Sequence, residues 1–95
     1  MKKINVPDGI EVSGPFFQFS TPFGRATLER DEWYVSKKLS PKNQKTEFQK
    51  ILGSTSLGRI IKFRSAKEYV ISQMFPRKAF SSLQKAINFL VDSSN

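Results

Sequence analysis

The chain has 95 residues, with 16 Lys and Arg against 8 Asp and Glu and a formal net charge of +8; this length gives room for one small domain around one core and excludes a multi-domain enzyme. Neither Cys nor His occurs, which excludes disulfides, structural zinc of the Cys/His type, and catalysis through Cys–His or Ser–His–Asp arrangements. With 38% hydrophobic residues, nine Phe among the whole, the composition is that of a folded domain and not of a disordered tail.

In chain order, Lys2–Val6 reads as a short edge strand ended by the turn triplet Pro7-Asp8-Gly9. Ile10–Val12 is extended, Ser13-Gly14-Pro15 breaks the chain, and Phe16–Ser20 alternates as a strand. Thr21-Pro22-Phe23-Gly24 suits a type I turn, so Arg25–Arg30 is expected to pair back antiparallel; a corner at Asp31-Glu32 then leads into the strand Trp33–Lys37. A helix follows over Ser40–Leu52: Ser40-Pro41 offers a cap, Thr46-Glu47-Phe48-Gln49 is a capping box that starts the helix later, and Gly53 sits where a left-handed C-terminal residue is wanted. Beyond the Ser54-Thr55-Ser56 linker, Arg59–Arg64 has strand character, and Tyr69–Met74 is read as its hairpin partner, with a capped helix as the alternative. Phe75-Pro76 stops it. The last helix opens on a Ser81/Gln84 capping box and carries Leu83, Ala86, Ile87 and Leu90 at the i, i+3, i+4, i+7 spacing.

Shifted against itself, Leu28–Leu52 aligns with Phe63–Ile87 without a gap, with identities at Tyr34/Tyr69, Val35/Val70, Pro41/Pro76, Gln49/Gln84 and Lys50/Lys85. This match suggests a β-β-α repeat preceded by extra N-terminal strands. The expected fold is therefore a single α+β domain over residues 1–95, an antiparallel sheet with two helices packed on one face. Its core would combine Phe48, Ile51, Leu52, Leu83, Ala86, Ile87 and Leu90 with Phe17, Phe19, Leu28, Val35, Ile61, Phe63 and Val70. On that register Tyr34, Tyr69, Lys62 and Arg64 share the helix-free face, with Lys37 and Lys38 at a strand end.

The charge is concentrated. Residues Met1–Ser36 carry a net of −1, whereas Lys37–Lys85 hold twelve basic residues against Glu47 and Glu68, a net of +10. Such a one-signed surface raises the local concentration of polyanions. Rings interleaved with cations on a sheet suit unpaired nucleic acid, because bases stack on the rings while Lys and Arg take the phosphates. The candidate contacts are Tyr34, Lys37, Lys38, Lys42, Lys45, Arg59, Lys62, Arg64, Tyr69, Arg77 and Lys78. Lys42, Lys45 and Lys50 spread around their helix and include no Arg, which suits phosphate contact better than base reading, so single-stranded or structured RNA or DNA is favoured over specific duplex sites. A solvated basic face that only aids solubility is the plainer account.

The second function class is a small adaptor or inhibitor docking on an acidic protein partner, with Phe23 and Phe89 as exposed anchors, or a homodimer. Enzymatic chemistry has little support: the five Gly residues form no phosphate-cradling loop, and the acidic cluster Glu29, Asp31 and Glu32 lies at an expected hairpin corner, where charges are ordinarily solvated. No cofactor, metal or catalytic residue is expected. The chain shows no apolar run of about 18 residues and no secretory signal, so a cytoplasmic protein without a membrane partner is expected.

Overall fold

A long hairpin dominates the computed structural model, which describes residues 4–21, 28–72 and 78–93. Strands β1 (Ile10–Ser20) and β2 (Leu28–Lys38) pair antiparallel over their full length. A 3-10 turn (Pro41–Asn43) and helix α1 (Glu47–Leu52) link β2 to β3 (Ser54–Phe63). The short strands β4 (Tyr69–Ile71) and β5 (Lys78–Phe80) and helix α2 (Leu83–Ser93) complete the fold. All five strands form one antiparallel sheet in the order β1-β2-β3-β4-β5. The chain is thus a small α+β domain.

The fold departs from the sequence reading in several elements. Ile4–Val6 is not a strand, and β1 runs through Ser13-Gly14-Pro15 with a bulge between Ser13 and Phe16. Gly14 makes the bulge feasible: its φ of +123° is open to glycine, and a Cβ there would lie 2.6 Å from the Glu32 carbonyl oxygen. No corner forms at Asp31-Glu32: Glu32 meets Arg30 and Arg59 within the sheet, and Asp31 meets Arg64 just beyond β3. The Ser54–Ser56 linker belongs to β3, and Lys78–Phe80 adds a strand without a sequence signal. The turn around Phe23 and the Phe75-Pro76 stop lie outside the described residues.

α2 alone packs firmly on the sheet. Ala86, Ile87 and Leu90 bury against Trp33, Val35, Ile60 and Ile71, and Leu83 and Phe89 flank them. Gly58 is the seat of this contact, since a Cβ at that position would lie 2.7 Å from a Leu90 methyl. The helix begins at Leu83 because the Ser82 hydroxyl accepts from the Lys85 amide; the expected Ser81/Gln84 box does not form, and Gln84 instead bridges the backbone of Asn5 in both directions.

α1 is built as its local signals demand, with the Thr46/Gln49 capping box and Gly53 at φ +69°. Yet it buries none of its residues, so the expected core role of Phe48, Ile51 and Leu52 is incorrect. The shifted segments do not fold alike either: one is a single long strand leading to an exposed helix, the other a short hairpin leading to a buried one.

Register explains the remaining core errors. A second bulge, at Leu57 opposite Val35/Ser36, sets Gly58, Ile60 and Lys62 on the helix-bearing face. Ile60 is therefore buried, while Ile61 and Phe63 lie on the opposite face; Ile71 replaces Val70 inside by the same pairing. Phe17 and Phe19 do lie on the helix side, but beyond the reach of α2, and Leu28 is also exposed.

Candidate nucleic-acid interface

The helix-bearing face is only half covered. α2 spans the Gly58–Ile60 part of β3, and the same face continues uncovered through Lys62 towards Arg64. Asp31 stands opposite Lys62 on β2, Phe17 stands opposite Asp31 on β1, and Phe19 follows beside Glu29.

These positions build a strip of rings and cations that also carries the carboxylates of Asp31 and Glu29. The Phe17 and Phe19 rings are 6.1 Å apart, with their planes inclined by 28°. The Arg64 guanidinium lies 4.8 Å from the Phe17 centroid, and the Lys62 ammonium lies 5.9 Å from that of Tyr69. Tyr69 in turn meets Trp33 at 5.6 Å. The strip ends in a cleft of about 720 Å³ walled by Trp33, Tyr69, Pro15 and Leu83, with Ser82 and Gln84 on its rim. Arg64 also reaches Asp31 at 3.5 Å, with the arginine side chain 55% exposed and Asp31 half-buried. A pair with its guanidinium open to water in this way contributes little to stability.

The predicted site residues separate into groups. Lys62, Arg64 and Tyr69 meet on the strip. The expectation that they share the helix-free face with Tyr34 is incorrect, because the Leu57 bulge and the Ile71 register turn them to the helix side. Tyr34 and Arg59 lie on the helix-free face, where Tyr34 meets Phe16 at 5.8 Å. There, Glu32 is only 2% exposed, held 3.3 Å from the Arg59 guanidinium and 3.9 Å from that of Arg30. Lys37 and Lys38 stand at the other end of β2, near the start of β3, and Lys42 and Lys45 follow in the connection to α1. They are separated from Arg64 by the length of β3, about 30 Å at the usual strand rise. Lys78 is exposed on β5, opposite Ile71. Arg77 and Phe23 fall outside the described residues. Phe89 is not an exposed anchor; it packs on Phe80 at 5.3 Å.

Sequence reasoning missed Phe17, Phe19 and Trp33 as site components. Their alternation gave the correct side for the two Phe residues but carried no information about where the covering helix stops. Among the described residues, no group of three or more acidic side chains is arranged to hold a metal ion. No described helix is long and apolar enough to cross a membrane.

The fold and this strip define a small α+β domain with a half-open sheet face. Comparison of the chain with protein-family models, with curated proteins and with solved structures finds no match.

Proposed function

We propose that the chain is a non-enzymatic module that binds unpaired nucleic acid along the uncovered half of its helix-bearing sheet face. The observation that carries this reading is the interleaving of Arg64 with Phe17 and of Lys62 with Tyr69 beside an open cleft. Exposed rings accept any base by stacking, while the cations and the +10 segment draw the phosphates, so the binding is tolerant of sequence and sensitive to salt. The adaptor reading is less favoured because Phe89 is packed against Phe80.

Fluorescence anisotropy against single-stranded DNA, RNA and duplex DNA at two salt concentrations tests the proposal. Phe17→Leu with Phe19→Leu keeps charge and should cost about 1–3 kcal/mol of single-strand affinity per stacked base, with little change in heparin binding. Lys62→Glu with Arg64→Glu should weaken both ligands and lower the salt slope by roughly 0.7 per lost single-strand phosphate contact. Unchanged oligonucleotide affinity in both folded variants would remove the strip from the site.

A further inference from the structure

α1 presents an arrangement that the strip does not use. Phe48, Ile51 and Leu52 are 78%, 76% and 68% exposed, the highest values for large hydrophobic residues among those described. They occupy positions i, i+3 and i+4, so they share one side of a helix whose ends are fixed by the Thr46/Gln49 box and Gly53. Lys42, Lys45 and Lys50 surround them in sequence, with Lys37 and Lys38 close before; two carboxylates answer these cations, Glu47 at 3.9 Å from Lys50 and Glu11 at 3.4 Å from Lys38. Lys50 points to the far side of this short helix from the apolar residues, whereas Lys42 and Lys45 are exposed in the connection just before it; an ordered apolar side with cations at its N-terminal end carries a cost in water that something apolar and anionic relieves.

We infer that α1 is a peripheral anchor that inserts Phe48, Ile51 and Leu52 at the surface of an anionic lipid bilayer while the neighbouring lysines engage the headgroups. Charge complementarity selects this occupant: a bilayer interface offers apolar depth and negative charge together. A second copy docked through the same side would set these lysines against themselves. Three side chains also fall well short of the roughly 800 Å² per partner that a stable protein complex buries. Nucleic acid gains no ring from Ile51 or Leu52, and the strip lies at the other end of β3. The absence of a spanning segment, on which the expectation of no membrane partner rested, does not bear on a surface contact of this kind.

The test is co-sedimentation of the full chain with vesicles of two parts phosphatidylcholine to one part phosphatidylserine, beside vesicles of phosphatidylcholine alone. The chain should partition onto the anionic vesicles and far less onto the neutral ones. Phe48→Ser with Ile51→Ser should lower that partitioning about tenfold or more, with circular dichroism and oligonucleotide affinity unchanged. Phe48→Trp should shift its emission to the blue on anionic vesicles, which reads insertion directly; the native tryptophan, Trp33, is buried. Full retention of vesicle binding by the double serine variant, or no blue shift, would overturn the anchor. So would loss of oligonucleotide binding in that variant, which reassigns α1 to the strip's ligand, or a concentration-dependent oligomer of the native chain that the variant abolishes.

Discussion

Glu32 is the residue on which the helix-free face turns. Its carboxylate is almost wholly removed from water, and the desolvation is offset by Arg59 and Arg30, although its Oε1 accepts no hydrogen bond. Glu32→Ala leaves two guanidinium groups beside an apolar gap and should destabilise the fold by about 1–3 kcal/mol, a range held down because Arg59 remains partly exposed. Urea denaturation of the single and double variants with Arg59→Ala would check this: a real pair gives a coupling energy, whereas strictly additive losses would assign the effect to packing alone. The same residue shows why the sequence misled. An adjacent Asp31-Glu32 reads as a corner, but one carboxylate faces Arg64 on the helix side and the other faces Arg59 beneath, so β2 passes straight through.

At the level of elements, the two helices separate local signals from packing. α2 was legible in the sequence because Leu83, Ala86, Ile87 and Leu90 form a stripe that matches what the sheet offers. α1 was legible in its ends but not in its surroundings, since a capping box reports hydrogen bonding within one turn and nothing about a neighbour. Their stabilities should differ accordingly. Leu90→Ala should cost about 2–5 kcal/mol, moderated by how far the Gly58 seat can close. Thr46→Ala should remove about 1 kcal/mol from α1 itself, yet hardly move the global denaturation midpoint, because α1 buries nothing. Amide hydrogen exchange distinguishes the two: faster exchange confined to residues 47–53 is expected for Thr46→Ala, and a uniform loss of protection across the sheet would contradict it. Strand parity was the least legible property. The bulges at Ser13–Phe16 and at Leu57 each reverse which side chains face the helix, and three-residue β4 is too short for alternation to reveal its side.

For the molecule as a whole, every strand lies beside its neighbour in sequence, and the long hairpin extends the body to 48 Å against 29 and 27 Å across. That elongation is what lets the strip and α1 occupy opposite ends of β3. Among the described residues, β1 is also a border strand of the sheet, carrying Phe16, Phe17 and Phe19. A straight border rich in aromatic residues invites a strand from a neighbouring molecule, and fibrillar growth follows from such additions. The interruption in β1 opposes this. Pro15 offers no amide proton, and the bulge beside it throws the outer backbone groups out of step, so an incoming strand finds two short stretches in place of one long template. Pro15→Val should leave the hairpin pairing intact but increase light scattering during prolonged incubation at high concentration; scattering equal to that of the native chain would mean the border is shielded by other means. The irregularity that turns Phe17 and Phe19 towards the cations thereby also interrupts the border of the sheet, and a smoother β1 would favour an assembly without a natural end.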